Sequence, residues 1–209
     1  GGFYRYSTQQ NWTIPHFEKM LEDNAQHLSV YLDAFQLIGD KKYESVAEGI
    51  IKFLLSIMYD SKKGYFYGSQ DADEEYCHLS HDARKSVEPP FVDKTMFVDW
   101  NCMAVSSFLK AAKTLNNKKY KEIALKTLKF ILDNNKKELH HYIKDSKSSG
   151  PVLFKDYVQL FSALLDAYEF TKDKKLLVHA KKALDSIDKN FADKDGGYFD
   201  ITFRTQEHP

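Results

Sequence analysis

Two neighbouring stretches decide the fold: NCMAVSSFLKAAKTL at residues 101–115 and KKYKEIALKTLKFILDN at residues 118–134. Both repeat apolar side chains at three- and four-residue spacing, which is typical of α-helices. The first carries only two charged side chains, Lys110 and Lys113, whereas the second carries seven. A helix that is apolar nearly all round is buried, and one with a single apolar stripe lies outside. The pair is therefore predicted to be a helical hairpin with an inner and an outer member.

The same alternation recurs on either side of this pair. Residues 17–38 and 156–170 are the more apolar segments, and residues 41–59 and 173–190 carry more charged side chains. The contrast is weakest in the first pair, because its inner segment contains acidic residues. Short polar turns separate the members: Gly39-Asp40, Asn116-Asn117 and Lys172-Asp173. The sequence thus predicts three hairpins, at about residues 17–59, 101–134 and 156–190, with a long loop at residues 60–99.

A second repeat marks the places where hairpins end. Glycine followed by aromatic residues occurs three times: Gly1-Gly2-Phe3-Tyr4, Lys63-Gly64-Tyr65-Phe66 and Gly196-Gly197-Tyr198-Phe199. Glycine releases a helix C-terminus through positive φ, and extended aromatics can then pack on the hairpin ends. We call these segments the aromatic tails.

Hairpins with an apolar inner helix and a charged outer helix are typical of an α/α toroid or a helical solenoid. We favour the toroid. The fold prediction is all-α, with residues 1–209 as one α/α-toroid domain or fragment that forms a partial ring. Three hairpins would leave apolar flanks uncovered, so exposed apolar surface is expected at both ends of the array.

Composition excludes several functional classes. Thirty basic and 30 acidic residues give no net charge, so no field attracts nucleic acid or an anionic membrane. No run is apolar for long enough to cross a bilayer. Two distant cysteines, Cys77 and Cys102, are too few for a disulfide framework, which favours a reducing setting. We predict a cytoplasmic protein that binds neither nucleic acid nor membrane.

The long loop contains a cluster of acidic side chains, Ser69-Gln70-Asp71-Ala72-Asp73-Glu74-Glu75. Glycosyl chemistry uses two carboxyl groups that flank the bond being broken. Charged loop residues are more often simply solvated, and this alternative stays open. A calcium loop is excluded, because Tyr76 stands where the sharp turn needs Gly.

A second cluster surrounds the predicted start of the first inner helix. Pro15 suits a helix start, which would place His16, Glu18, Lys19, Asp23 and Asn24 on the first turns at the mouth of the ring. A His there could move a proton and a neighbouring acid could orient it. Equally, the acidic residues could simply stabilise the helix N-terminus.

The other inner helices begin with polar and aromatic pairs, Trp100-Asn101 and Asp156-Tyr157. Aromatic faces beside polar groups suit sugar rings, although packing is the commoner role for such residues. His140-His141 has no further ligands at metal spacing and no HExxH motif is present, so neither a metal nor another cofactor is predicted. GxSxG, GxxxxGK[ST] and GxGxxG are also absent.

These residues carry a family resemblance. The blocks involved are Gly1-Gly2-Phe3-Tyr4-Arg5-Tyr6-Ser7, Trp12, Pro15-His16-Phe17-Glu18-Lys19-Met20-Leu21, Asp23-Asn24-Ala25-Gln26, Ser69-Gln70-Asp71-Ala72-Asp73, Phe91-Val92-Asp93-Lys94, Asp99-Trp100-Asn101, Asp156-Tyr157 and Asp195-Gly196-Gly197-Tyr198-Phe199. They resemble the thioredoxin-domain-containing proteins of the spermatogenesis-associated protein 20 type, over nearly the whole chain. The resemblance implies an N-terminal thioredoxin-like domain followed by a toroid similar to six-hairpin glycosidases and N-acylglucosamine 2-epimerases. The thioredoxin-like domain and the rest of the toroid would then be partners of this chain.

The functional prediction is a carbohydrate-active toroid that performs acid/base chemistry on a small sugar at its mouth. The predicted catalytic residues are His16, Glu18, Asp71 and Asp73. The predicted substrate-binding residues are Lys19, Asp23, Asn24, Gln70, Asp93, Trp100, Asn101, Asp156 and Tyr157. The alternatives are a non-catalytic helical scaffold of a protein with a redox or folding role, and a module that binds a sugar or peptide without chemistry.

Overall fold

The computed structural model describes residues 1–80, 82–136, 138–145 and 147–202. The helices are α1 (Leu21–Ile38), α2 (Lys41–Phe53), α3 (Glu74–His78), α4 (Val98–Thr114), α5 (Lys118–Asn134), α6 (Phe154–Thr171) and α7 (Lys174–Phe191). The strands are β1 (Lys19–Met20), β2 (Tyr59–Asp60), β3 (Tyr65–Phe66), β4 (Ser69–Gln70), β5 (Val92–Asp93), β6 (Met96–Phe97), β7 (Tyr142–Lys144) and β8 (Lys147–Ser149). They form three small antiparallel sheets, ordered β1-β4-β5, β2-β3 and β6-β7-β8. Within the described residues, no helix combines the length and apolarity needed to cross a bilayer.

The long helices form two layers. Helices α1, α4 and α6 pack side by side with α4 in the centre, and α2, α5 and α7 each pack on the inner helix of their own hairpin. Helix α4 has the most buried residues, including Val105 and Phe108, which are fully inaccessible to solvent. This layering confirms the predicted alternation of inner and outer helices.

The outer helices are capped by side chains close in sequence. Asp40, Asn117 and Asp173 each accept a hydrogen bond from the backbone N–H two residues further on. Such caps satisfy one of the N–H groups that a helix start leaves without an intrahelical partner. The starts of α2, α5 and α7 are therefore fixed locally, and they lie within one residue of the predicted positions.

The inner helices are capped instead by distant backbone. Met20, Phe97 and Leu153 precede them and provide no side-chain cap. The first N–H of each inner helix donates to a carbonyl in the segment that follows the same hairpin, at 2.9 Å in all three cases: Leu21 to Gly68, Val98 to His141 and Phe154 to Asp200. In each of the three hairpins, the segment after the outer helix thus returns to the first turn of the inner helix.

The predicted start of the first inner helix was wrong. Helix α1 begins at Leu21, because Lys19–Met20 pairs as strand β1 with Ser69–Gln70. His16, Glu18 and Lys19 therefore precede the helix.

The other boundaries also shift. Helices α4 and α6 begin at Val98 and Phe154, so Trp100-Asn101 and Asp156-Tyr157 lie inside the first turns. Helix α2 gives way to a π-helical turn at Leu54–Met58. The loop predicted at residues 60–99 contains short strands, α3 and a 3₁₀ turn at Ala83–Ser86.

Buried asparagines anchor two of the three aromatic tails. Asn24 accepts from the Phe3 N–H at 2.7 Å and donates to the Phe3 carbonyl at 3.1 Å. Asn101 makes the same pair with Phe66, at 2.8 and 3.0 Å, and both asparagines also donate to the carbonyl four residues before them. Both side chains are inaccessible to solvent. In the third hairpin, Tyr157 takes the corresponding helix position.

Apolar side chains remain exposed on the first and last long helices. On α1 they are Val30, Leu37 and Ile38, and on α7 they are Leu177, Val178 and Leu184. Leu37 is 86% exposed. The expectation of uncovered apolar surface at both ends of the array is confirmed.

We expect Asn101→Ala to lower the free energy of unfolding by at least about 2 kcal/mol, since it removes the partner of the buried N–H and carbonyl of Phe66. Urea denaturation followed by circular dichroism measures this loss. The control is Asn134→Ala, whose exposed side chain bonds only the Phe130 carbonyl and whose replacement should cost less than about 1 kcal/mol. Equal losses would show that the Asn101 contacts do not stabilise the fold.

Candidate functional site

Strand alternation divides the predicted catalytic residues between two places. Phe17 and Lys19 line a cavity with Gln70 and Asp71, and neither His16 nor Glu18 belongs to its lining. Successive side chains of an extended backbone point to opposite faces, so His16 and Glu18 face away from that cavity. The quartet predicted from the sequence is therefore not assembled around one space.

His16 and Glu18 lie beside the aromatic tail that precedes them. The His16 ring stacks on Tyr6, with centroids 4.9 Å apart, and its Nδ1 lies 3.8 Å from Glu18 Oε2. Arg5 forms an ion pair with the same Glu18 oxygen at 2.9 Å. The two predicted catalytic residues are neighbours, and Arg5 neutralises the acid.

Asp71 lines the cavity on the other face of strand β1, and Asp73 lies at the start of α3. The cavity lined by Asp71 has a volume of about 390 Å³ and is surrounded by basic side chains, among them Lys52 and Arg84. Asp71 accepts from the Ala72 N–H. Asp73 caps α3 by accepting from the Tyr76 N–H at 2.8 Å. Both acids thus have local backbone partners.

The predicted substrate-binding residues are also dispersed. Asp93 lines a third space of about 400 Å³ and accepts two hydrogen bonds from Thr95. Tyr157 accepts through its hydroxyl from the Leu139 N–H, and Trp100 packs on Phe97 with its Nε1 buried and without a hydrogen-bond partner. Lys19 and Gln70 line the basic cavity. The remaining positions lie on inner helices: Asp23 and Asn24 on α1, Asn101 on α4 and Asp156 on α6, and both asparagines bond the aromatic tails.

A different set of charged side chains converges where the three inner helices begin. We define the mouth cluster as Glu22, Asp23, Asp99, Lys155 and Asp156, all in the first turns of α1, α4 and α6. Lys155 Nζ lies 2.8 Å from Asp99 Oδ2. Asp156 caps α4 by accepting from the Asp99 N–H at 3.3 Å. The cluster joins all three inner helices because they pack side by side.

His141 completes the deeper side of this cluster. Its Nδ1 lies 3.0 and 3.2 Å from the two carboxylate oxygens of Asp156 and 3.9 Å from Asp99 Oδ1. The side chains of Asp99 and Asp156 are inaccessible to solvent. Among the residues that the structure describes, Asp99, His141 and Asp156 form the one group of at least three ligand-type side chains close enough to hold a metal ion.

Burial sets the acid strengths at the mouth. It raises the pKa of Glu22, and the charge of Asp99 raises it further while Lys155 opposes it. It likewise raises the pKa of Asp23, against the opposing charges of His27 and Arg5.

Partners modify the same effect at the deeper groups. Burial raises the pKa of Asp156, although the hydrogen bond with His141 works against it. For Lys155, burial lowers the pKa but the contact with Asp99 and the charge of Asp156 outweigh it, so the net change is upward. Burial, with the charges of Asp156 and Asp99, raises the pKa of the Cys102 thiol. A high thiol pKa makes Cys102 a poor nucleophile.

The arrangement suits proton transfer. Glu22 is a half-buried acid whose pKa is raised towards neutrality, and none of the hydrogen bonds within the described ranges involves its carboxylate. Lys155 provides an ammonium group nearby that can donate to an anionic oxygen. Both residues lie in the first turns of inner helices, where backbone N–H groups favour negative charge.

Sequence reasoning missed Glu22, Asp99, His141 and Lys155 as site residues. Asp99 and Lys155 become visible once the helix starts are aligned on Leu21, Val98 and Phe154, since they occupy the second position of α4 and α6 as Glu22 does in α1. His141 gives no comparable signal, because a loop in the middle of the chain brings it to the mouth.

We expect Glu22→Gln to stabilise the protein at pH 7. A carboxyl whose pKa is raised on folding binds its proton more tightly in the folded state, so its ionised form opposes folding at higher pH. The gain in melting temperature should shrink as the pH falls through the raised pKa, and vanish below the ordinary pKa range of glutamate. Calorimetry from pH 3 to 8 in the presence of a chelator measures it, with the exposed Glu48→Gln on α2 as control. A gain independent of pH would contradict this explanation.

Comparison with known proteins identifies relatives for part of the sequence. Over 72 residues the chain is 50% identical to spermatogenesis-associated protein 20 of Mus musculus, which covers 34% of this chain and 9% of the mouse protein. Over 69 residues it is 35% identical to cellobiose 2-epimerase of Bacteroides fragilis, covering 33% of this chain and 18% of that enzyme. The chain therefore matches only a small part of the length of these curated relatives. No protein-family model matches it.

Solved structures match nearly the whole chain at low identity. A cellobiose 2-epimerase from Spirochaeta thermophila aligns with a TM-score of 0.75 at 15% identity, over 95% of this chain and 52% of that one. A sugar epimerase from a ruminal bacterium gives 0.76 at 16%, over 96% and 52%. The GH76 α-mannanase of Bacteroides thetaiotaomicron gives 0.70 at 15%, over 97% and 49%. The chain has the fold of about half an α/α toroid, which confirms the fold prediction.

Proposed function

We propose that this chain carries a carbohydrate-processing site, in which the mouth cluster performs acid/base chemistry on a sugar. The observation that carries the proposal is the convergence of the first turns of α1, α4 and α6, which brings Glu22, Asp99 and Lys155 together. Proteins with this fold include epimerases, an isomerase and glycosidases of sugars. Likeness of fold alone does not assign chemistry, so the residues have to carry the argument.

The reaction that best fits these residues is proton transfer at the carbon next to a sugar carbonyl. Glu22 would take the proton as a carboxylate, the electron pair would pass to the carbonyl oxygen, and Lys155 would donate a hydrogen bond to the resulting oxyanion. Returning the proton to the opposite face of the same carbon, after the enediolate has turned over, inverts that carbon. Returning it to the former carbonyl carbon isomerises the sugar, provided that the neighbouring hydroxyl passes its proton to the oxyanion. A half-buried acid with a raised pKa suits both directions of transfer.

Of the four predicted catalytic residues, two remain part of this proposal and two do not. His16 and Glu18 adjoin the mouth through Arg5, whose charge also acts on Asp23 and Glu22. They are therefore candidates for binding sugar hydroxyl groups at the edge of the site. Asp71 lines the cavity on the other face of strand β1 and Asp73 lies at the start of α3, and they take no part.

The second candidate is the non-catalytic scaffold. It is favoured by the internal pairing of the cluster, because Asp99 pairs with Lys155 and Asp156 with His141. Side chains that contact one another in this way can hold helix starts together without acting on a substrate. The two candidates differ in whether Glu22, which has no such partner, acts on a substrate.

The test measures deuterium exchange from solvent into the carbon next to the carbonyl, by proton NMR, for a panel of reducing mono- and disaccharides. We expect exchange with at least one sugar, and Glu22→Gln should slow it by about 100-fold or more with little change in sugar affinity. Glu48→Gln on α2 is the matched control and should leave exchange unchanged. Absence of both exchange and calorimetric binding across the panel would favour the scaffold.

A further inference from the structure

The buried group formed by Asp99, His141 and Asp156 has a role that the proposed sugar chemistry does not require. The two aspartates occupy the second position of α4 and the third position of α6, and His141 directly precedes strand β7. Backbone hydrogen bonds fix the histidine there, since its carbonyl accepts from the Val98 N–H and its own N–H donates to the Pro151 carbonyl. Three separate segments therefore present these side chains to one point.

The separations are those of ligands around a small ion. His141 Nδ1 lies 3.0 and 3.2 Å from the Asp156 oxygens and 3.9 Å from Asp99 Oδ1, and one ligand atom from each residue lies within 4.8 Å of the others. Nitrogen and oxygen ligands at tetrahedral Zn²⁺ distances are about 3.3–3.6 Å apart. The observed values bracket that range, so shifts of well under 1 Å would form the site.

Among the described residues, neither carboxylate oxygen of Asp99 has a hydrogen bond, although Oδ2 forms an ion pair with Lys155. Asp99 is inaccessible to solvent, yet its Oδ1 accepts from no donor, and the 3.9 Å to His141 Nδ1 is too long for a hydrogen bond. Buried polar atoms normally have a partner, and buried charges are normally paired or bound to a metal. The Oδ1 atom of Asp99 points to a missing ligand between it and the imidazole.

The net charge of the group also favours a bound cation. Asp99 and Asp156 carry two negative charges, and Lys155 supplies one positive charge through Asp99 Oδ2. With His141 neutral, as a metal ligand must be, one negative charge is left without compensation. Lys155 is 51% exposed, so its ammonium group can withdraw into solvent. A divalent cation would then balance both carboxylates.

We propose that Asp99, His141 and Asp156 bind one divalent transition-metal ion, with Zn²⁺ the best match to two carboxylates and one imidazole. The ion would join the starts of α4 and α6 to the segment before β7. Three protein ligands leave a coordination position open, as in zinc sites that also bind water or substrate. Glu22 is not among the ligands, but Lys155, which would bind the oxyanion in the proposed sugar chemistry, would lose its contact with Asp99.

The experiment uses the full 209-residue chain after treatment with a chelator. Titration with Zn²⁺ by calorimetry should show one saturable site, and Co²⁺ should give the visible absorption of a low-symmetry site. Zn²⁺ should also raise the melting temperature, since it binds only the folded chain. We expect Asp156→Asn and His141→Ala each to weaken Zn²⁺ binding by at least about tenfold.

The chain offers a matched control in the neighbouring histidine. His140 bonds the Gly150 carbonyl and lies outside the group, so His140→Ala should leave Zn²⁺ affinity unchanged. Lys155→Gln keeps all three ligands and removes the competing cation, so it should strengthen binding severalfold even if the ligand variants fail to fold. Absence of saturable binding by the unmodified chain, equal loss in His140→Ala and His141→Ala, or no gain in Lys155→Gln would each overturn the proposal.

Discussion

The structure depends on how the inner helices obtain their first hydrogen bonds. The residues that directly precede α1, α4 and α6 provide no side-chain cap, and the first N–H of each helix donates to a carbonyl in the segment that follows its own hairpin. A helix start buried without partners would be costly, so the connecting segments must return to these ends. Two of the accepting carbonyls, Gly68 and Asp200, closely follow an aromatic tail, and the third, His141, directly precedes strand β7.

The same constraint explains why charged side chains gather at the mouth. Helix starts favour anions, and the returning backbone shields them from water. Asp99 and Asp156 are inaccessible to solvent and lie against Lys155 and His141, whereas Glu22 is only half buried and makes no side-chain ion pair among the described residues. Acid/base catalysis requires an ionisable side chain that is not already held in an ion pair. The mouth thus combines buried charged groups that contact one another with one half-buried acid, Glu22.

Much of the fold could be read from the sequence, and the errors have a common cause. The outer helix α5 was predicted at residues 118–134 and lies there, because the Asn117 cap is local. The inner helix α1 was predicted to start at residue 17 and starts at Leu21, because Lys19–Met20 pairs with a strand about 50 residues away. Local rules succeed where the partners are local. They fail where the partner is brought in by folding.

The candidate site was less accessible to such reasoning. The clusters around His16 and Asp71 are dense in sequence, but the alternation of an extended backbone turns Glu18 and Lys19 to opposite faces. The group of Asp99, His141 and Asp156 is spread over 57 residues and becomes a group only when α4 packs on α6.

By itself the sequence determined the alternation of buried and surface helices, the hairpin repeat and the outer helix starts, since periodicity and capping act within a few residues. The tertiary structure alone decided which ionisable groups meet. That choice depends on the packing of α1, α4 and α6 and on which backbone segments cap them, and both are interactions between parts of the chain that are distant in sequence.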